Sequence, residues 1–430
     1  KINAYWSGNV AVFLTTGKGF YEQYKADRAL SSVGLPDYFD GTTIIKKTDI
    51  IRRLWLDNNF YGSIFSLQYK KAKTEFTFGG GWNKYDGQHF GEIIWAATQA
   101  AVPKNYRWYD LPATKKDFSV YTKWTQQLTN YWQSFVDIQY RNINYTINGF
   151  RDNPPLNLNN TYNFINPKIG FTYNKNSWQA YISYARAAKE PNRNDFEAAL
   201  NDQPKAEQLN DIEIGIEKKK KSYTYGATLY YMHYKDQLVL TGKINDVGAY
   251  TRTNIPNSYR LGIELEGGYV VNKKLSLAGN IALSQNNIKN FTEYIDDYDN
   301  GGQQINFYKK SALAFSPSIV IGNTVTVIPF KNATLNFLSK YVGKQFLDNT
   351  ANNARSLNAF FVQDVNFNYN LTGKVFKNTQ FIVQLNNVFN KKYEPNGYTF
   401  SYISGGALTT ENFYFPMAGF NLMVGVNVRL

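Results

Sequence analysis

Near the C-terminal end of the chain, apolar and polar side chains alternate without a break. Phe420, Leu422, Val424, Val426, Val428 and Leu430 fall on one side; Gly419, Asn421, Met423, Gly425, Asn427 and Arg429 fall on the other. A two-residue period is a β-strand with one apolar and one wet face. The pattern recurs. Tyr223, Tyr225, Ala227, Leu229 and Tyr231 alternate with Thr224, Gly226, Thr228 and Tyr230, and Ile212, Ile214 and Ile216 with Asp211, Glu213, Gly215 and Glu217. Leu261, Ile263 and Leu265, then Leu275, Leu277, Ile281 and Leu283, then Phe381, Val383 and Leu385 behave alike. The second face carries Glu, Asp, Asn, Gln or Gly each time, which is too hydrated for the inside of a sandwich.

The connections alternate in length. Short polar turns stand at Lys70–Lys73, Asn174–Ser177, Lys218–Ser222, Asn272–Lys274, Pro329–Asn332 and Thr372–Lys377. Between them lie the long stretches Tyr21–Arg53, Asp86–Lys116, Arg151–Thr161, Pro191–Lys205, Gly242–Asn257, Phe291–Lys310 and Glu394–Asn412, read as loops. Short turns at one end and long loops at the other predict an all-β, transmembrane, antiparallel up-and-down barrel. Roughly 16 strands fit, each at least the ~9–11 residues that a tilted membrane strand needs. The uncharged run Ser311–Phe330 is a strand rather than a membrane helix, because Pro317 and Pro329 interrupt it and Ile319, Ile321, Val325 and Val327 alternate. Lys1–Val10 has no basic stretch followed by an apolar core, so no signal peptide is expected there; the chain opens almost directly into the strand-like Asn9–Thr15, and the expectation is that residue 1 is not the native start.

Composition sharpens this picture. Aromatic residues make up 17% of 430 positions and charged residues only 19%, which excludes a disordered chain. Cysteine is absent, so no disulfide framework and no thiolate metal site can form. The net charge is +14, and Lys218–Lys221 is its densest run. That run occupies a turn tip without a nucleic-acid module around it, so anionic lipid headgroups, not nucleic acid, are the expected partner.

Candidate chemistry is sparse. With only two histidines, His89 and His233, no nucleophile–base constellation is legible, and neither catalysis nor a metal site nor a cofactor is expected. His89 is placed at the mouth of a long loop, and His233 shares a strand face with Tyr231. The stretch Ile93–Asp110, read as an extracellular loop, gathers Trp95, Tyr106, Arg107, Trp108 and Tyr109. Rigid rings beside a guanidinium suit ligand capture, and they suit packing of the loop equally well.

Several stretches carry a family resemblance. Ser183-Tyr-Ala-Arg-Ala-Ala-Lys-Glu-Pro-Asn-Arg-Asn-Asp-Phe196, Pro204-Lys-Ala-Glu-Gln-Leu-Asn-Asp-Ile-Glu-Ile-Gly215, Leu385-Asn-Asn-Val-Phe-Asn-Lys-Lys-Tyr393 and Tyr414-Phe-Pro-Met-Ala-Gly-Phe-Asn-Leu-Met-Val-Gly425 resemble the barrel of TonB-dependent outer-membrane receptors, particularly those of Bacteroidetes-type bacteria. Thr16–Tyr24 is also similar to that barrel. The resemblance implies that residues 1–430 are the C-terminal part of a barrel of about 22 strands, with the plug and its TonB box outside this chain. It implies active uptake of a scarce bulky ligand such as an iron–siderophore, haem or cobalamin. The implied partners are the TonB–ExbB–ExbD complex, reached through the plug, outer-membrane lipids and lipopolysaccharide, an extracellular small-molecule ligand and a surface lipoprotein. Leu430 departs from the usual terminal aromatic. The competing expectation is a passive 16-stranded porin, with Tyr21–Arg53 or Asp86–Lys116 folded inward to narrow the pore.

Overall fold

A computed structural model of the protein describes every residue except 152–153, 199–202, 245–249, 372, 374–377 and 430. Leu430, most of the turn Thr372–Lys377, and parts of the stretches Arg151–Thr161, Pro191–Lys205 and Gly242–Asn257 lie outside the described residues. The chain divides into two compact units, Lys1–Gln126 with Asp137–Asn166, and Gln127–Val136 with Pro167–Leu430.

The first unit is built on β1 (Trp6–Ala29), β2 (Lys47–Lys71), β3 (Thr74–Ala96) and β4 (Tyr106–Gln127), each antiparallel to the next. It also holds most of β5 (Trp132–Asn148) and the first part of β6 (Asn157–Lys175). β1 to β4 have 22 to 25 residues each, about 70–80 Å of extended chain. That is more than twice what a membrane needs, so their upper halves stand clear of it. On one face Val10 lies opposite Phe65 and Leu67 opposite Phe78. On the other, Phe13, Gly62, Asn83 and Asp117 follow one another across the strands.

The second unit continues from Pro167 in β6 through β7 (Trp178–Lys189), β8 (Glu207–Lys219), β9 (Tyr223–Ile244), β10 (Tyr250–Asn272) and β11 (Leu275–Asp297). β11 pairs along its first part with β13 (Ile319–Val327) and along its last part with β12 (Gln303–Ala312). β14 (Ala333–Val342), β15 (Phe360–Leu371), β16 (Asn378–Asn386) and β19 (Asn421–Arg429) complete the ladder, while β17 (Asn396–Ser404) and β18 (Ala407–Phe415) form a hairpin on the long connection between β16 and β19. Register carries the sequence alternation across strands. Ile182, Ile214, Leu229, Ile263, Leu283 and Ile319 form one file, and Leu277, Val325, Phe337, Val365, Leu385 and Leu422 another. Many of these are exposed, Leu422 at 56% and Leu229 at 52%. A continuous exposed apolar belt of this extent belongs against lipid. The opposite face of the same strands carries Glu217, Gly226, Glu266, Asn280, Gly322 and Lys340 in register.

Among the described residues, β1–β11, β13–β16 and β19 form the up-and-down series; short turns alternate with longer connections except between β9 and β10, which only residues 245–249 separate, and β12, β17 and β18 are hairpin arms on the long-connection side. Short turns among the described residues lie within the stretches 70–73, 174–177, 218–222, 272–274 and 329–332, and a further one lies at 128–131. At Asn176 and Ser177 both central residues have positive φ (52° and 68°), the conformation that matches strand twist in a two-residue hairpin.

The long loops are the correction. β1 runs on to Ala29 and β2 begins at Lys47, so only a 3₁₀ turn, Leu30–Val33, and a miniature hairpin, Tyr38–Phe39 with Ile44–Ile45, remain of Tyr21–Arg53. Asp86–Lys116 is strand up to Ala96 and again from Tyr106, Phe291–Lys310 is mostly the β11–β12 hairpin, and Glu394–Asn412 is mostly β17–β18. Above the membrane both faces are wet, so the period-two signature fades while aromatic and β-branched residues still favour pairing.

Two of the family-like motifs have local physical roles. In Pro191–Phe196 the Asn192 and Asp195 side chains each accept a hydrogen bond from the other's backbone N–H, a reciprocal cap that starts the short helix α1 (Arg193–Ala198) and buries Phe196 fully. In Leu385–Tyr393, buried Asn387 (φ 50°) donates to the Lys391 and Ala418 carbonyls at 2.8 and 3.2 Å and accepts from the Lys391 N–H at 2.9 Å. One amide thereby holds the connection that leaves β16 against the approach to β19.

Candidate ligand-binding site

The five aromatic and basic residues selected from sequence lie on strands, not in a loop. Trp95 closes β3, and Tyr106, Arg107, Trp108 and Tyr109 open β4. Strand alternation and a register shift between Gly91 and Glu92 divide them between two faces.

Arg107 lies in register with Glu92, Arg53 and Glu22, one step from the row of Asp110, Phe90, Trp55 and Phe20. This is the side that becomes the apolar belt lower down. Its guanidinium stands 3.8 Å from the Phe90 ring centroid and pairs with Asp110 at 2.7 Å and Glu92 at 3.9 Å. Trp95, opposite Ile51, shares that face and is 41% exposed. These two residues cover the outside of the strands.

Tyr106, Trp108 and Tyr109 turn to the other face. A Cβ added to Gly91 would meet both the Trp108 and Tyr109 rings at 2.4 Å, so glycine there lets the two rings lie on the β3 backbone. Trp108 and Tyr109 meet edge to face with centroids 5.0 Å apart. Tyr106 and Trp108 pack on a buried cluster formed by Leu30, Val33, Ile50, Ile93, Ala96, Ala101 and Val102, which fixes the β1–β2 and β3–β4 connections.

Arg52, which no local sequence pattern marks, lies beside these rings. Its guanidinium is 5.7 Å from the Trp108 ring and donates twice to Gln23 Oε1, at 2.8 and 3.1 Å. Burial first, and then the neighbouring Arg28 and Arg151 cations, hold Arg52 below the ordinary guanidinium range. The Nε atom of Arg28 is buried without a hydrogen-bond partner among the described residues. Three guanidinium groups, two rings set edge to face and Gln23 thus gather on one side of the strands, where planar forks and π-surfaces can grip an anionic ligand. Charges drawn from positions 28, 52 and 151 have no local motif; the signal available in sequence was Gly91 opposite an aromatic pair.

A second cluster, in the other unit, was not legible at all. Arg355 pairs with Glu293 and, at 2.8 Å, with Asp348; the three side chains are only 5%, 11% and 7% exposed. Glu293 also accepts from Tyr308 at 2.9 Å and Asn306 at 3.1 Å, and Asp348 from the Thr350 hydroxyl at 2.6 Å. Burial pushes Glu293 up, but hydrogen bonds from Arg355, Asn306 and Tyr308 outweigh it and leave the carboxyl below its usual range. Burial, then the bond to Glu293, pushes the Tyr308 phenol up to about 12. Asn349, fully buried, donates to the Leu240 carbonyl at 2.6 Å and accepts from the Ala314 N–H at 2.8 Å. The connection between β14 and β15 is therefore pinned to β11, β12 and the end of β9.

His89 is not at a loop mouth but inside β3, opposite Leu56 and Leu111; His233 lies within β9, opposite Asn210 and Tyr259. Among the described residues no three metal-ligating side chains stand together. No described helix is long and apolar enough to cross a membrane, which says nothing against crossing by strands.

An up-and-down antiparallel ladder with an apolar belt, short turns on one side and long ordered hairpins on the other defines an outer-membrane β-barrel protein. The chain belongs to the TonB-dependent receptor family: the model of its TonB dependent receptor-like β-barrel matches residues 2–390. Receptor barrels of this family lie in the outer membrane and are transport receptors, not enzymes. No curated protein matches the chain. Among solved structures it is similar to the ferric-catecholate import receptor Fiu from K12 E. coli (14% identity, 99% of this chain and 62% of that one, TM-score 0.64). It is also similar to the copper transporter OprC (12%, 99% and 63%, TM-score 0.70) and the siderophore receptor PiuA from Acinetobacter baumannii (14%, 99% and 62%, TM-score 0.67). At these identities the likeness concerns the fold. The chain spans a little over three-fifths of the length of these structures.

Proposed function

We propose that the chain is the barrel portion of a receptor that imports a scarce bulky ligand by TonB-dependent active transport, with a plug and TonB box supplied outside these 430 residues. The family match over residues 2–390 carries this reading and turns it away from the passive porin. Energy from the inner-membrane ExbB–ExbD complex would reach the receptor through TonB and the plug, and a surface lipoprotein would serve as an accessory on the long-hairpin side. Within the ligand classes that suit such a receptor, an anionic iron chelate is favoured over haem or cobalamin. Support comes from Arg28, Arg52 and Arg151 gathered beside Trp108 and Tyr109, and from neighbours named as ferric-catecholate and siderophore receptors.

The test is growth of a strain lacking the receptor under iron limitation, complemented with the full-length gene, on a panel of ferric chelates, haem and cobalamin. Rescue by at least one chelate that disappears when TonB is deleted is the expected result. Rescue that persists without TonB would overturn the importer and restore the porin. TonB-dependent rescue by haem or cobalamin alone would overturn the choice of ligand class.

A further inference from the structure

The apolar belt of the second unit is notched near its short-turn rim. Gly267 in β10 and Gly279 in β11 stand directly opposite one another on the lipid-facing side. The same row runs back through Tyr225, opposite Gly267, to Lys218 and Trp178. The missing side chains open a shallow depression of about 560 Å³, open along the lipid side and walled by Tyr223, Tyr225, Tyr269 and Leu277. Its walls are apolar and aromatic, while its end is strongly basic. Lys218 and Lys219 end β8 and Lys220 and Lys221 lie in the turn entering β9, while Lys273–Lys274 form the turn entering β11. Lys220 Nζ stands 5.8 Å from the Tyr223 ring that walls the depression, and Lys218 Nζ 4.6 Å from Trp178, whose ring meets Tyr225 edge to face. Neither turn contains a carboxylate residue.

We infer that this notch is a specific seat for an anionic phospholipid of the periplasmic leaflet, with an acyl chain lying over Gly267 and Gly279 and the phosphate held by Lys220 and Lys274. The charge pattern selects this occupant. An apolar slot ending in a cluster of cations at the membrane interface complements a molecule with an apolar tail and an anionic head. The tyrosines supply the amphipathic collar between the two zones. A neutral or purely apolar occupant would leave the lysine cluster without a role.

Native mass spectrometry of the full-length receptor, purified in mild detergent with added phosphatidylglycerol or phosphatidylcholine, tests the seat. The wild type is expected to retain one phosphatidylglycerol molecule in preference to phosphatidylcholine. Gly267→Leu fills the notch, and its new Cβ makes only an ordinary 3.8 Å contact with the Thr224 carbonyl, so the barrel is expected to fold and lose the retained lipid. Lys220→Gln and Lys274→Gln, which leave the notch open, should each weaken phosphatidylglycerol retention roughly fivefold, the worth of one cation near an anionic surface, and leave phosphatidylcholine unchanged. Equal retention of the two lipids by the wild type, or wild-type retention of phosphatidylglycerol in a folded Gly267→Leu or in the lysine variants, would overturn the inference. So would finding a second copy of the receptor bound where the lipid should lie.

Discussion

Removing the cation from the Glu293–Arg355–Asp348 cluster should release the connection between β14 and β15 while leaving the membrane strands intact. Arg355→Met keeps the length and apolar stem of the side chain but strands two carboxylates that are about 90% buried. Breaking a buried ion pair from one side costs roughly 3–5 kcal/mol. Here the lower figure applies, because Glu293 keeps Tyr308 and Asn306 as donors and Asp348 keeps Thr350, and proton uptake by either carboxyl offsets part of the loss. About 3 kcal/mol corresponds to a change in local opening of roughly two powers of ten. The amides to follow are those of Leu347 and Arg355, which donate to the Arg355 and Asn352 carbonyls. Hydrogen exchange in residues 343–359 should accelerate about a hundredfold, with β13 and β15 unchanged. Arg355→Lys, which keeps the charge but not the fork, should fall between. Because the Glu293 carboxyl sits below its usual range, its contribution is present above the unfolded value near 4.5 and is lost as the pH falls through the lower folded one. Exchange in the wild-type segment should therefore rise toward the mutant's only in acid. Unchanged exchange in Arg355→Met, or acceleration spread evenly through the strands, would refute this account of the cluster.

Three further outcomes follow from the geometry. Arg52→Ala and Trp108→Ala in the full-length receptor should weaken ligand binding at least tenfold, whereas Trp95→Ala and Arg107→Ala, on the opposite face, should change it less than twofold; titration of purified receptor with the rescuing ligand decides. Asn387→Leu removes the donor to two carbonyls and should cost about 2–3 kcal/mol, read as an earlier loss of the folded band when heated in detergent. Tyr308 should ionise near pH 12, because the phenol that donates to Glu293 is stabilised below its unfolded value of 10 and that stabilisation fades only as the pH rises through the higher one; difference absorbance of Tyr308→Phe against the wild type isolates the transition.

The membrane half of the fold is legible in the chain because lipid demands one apolar face, and a strand satisfies that demand only with period two. Ile212–Ile214–Ile216 and Leu422–Val424–Val426 announce both strand and orientation. Asp86-Gly-Gln-His89 and Gln303-Gln-Ile-Asn306 belong to equally regular ladders, but water on both sides erases the alternation, so these stretches read as loops. The candidate site suffered twice. Trp95 and Tyr106–Tyr109 are close in sequence, yet a bulge at Gly91 sends Trp108 and Tyr109 to one face and leaves Arg107 on the other. Arg52 belongs with them only through pairing of β2 with β3. The Arg355 cluster joins positions 293, 348 and 355, a juxtaposition no local pattern encodes.

The extension of paired strands far above the membrane has a consequence for how such a receptor can change over generations. In a disordered loop any number of residues can be gained or lost. In the β11–β12 hairpin a single inserted residue would exchange the places of Tyr294 and Ile295, the first 53% exposed and the second fully buried, and would invert every position beyond it. Length can therefore change without inverting the arms only at the tip, at Asn300–Gly302, where Gly301 and Gly302 already accept positive φ and which lies just past Tyr298 and Asp299, themselves held by Ile403, Gly405 and Gly406; along the arms it can change only in steps of two matched by the partner strand. The ordered hairpins thus impose an arithmetic of even numbers on the surface that the receptor presents outside the cell.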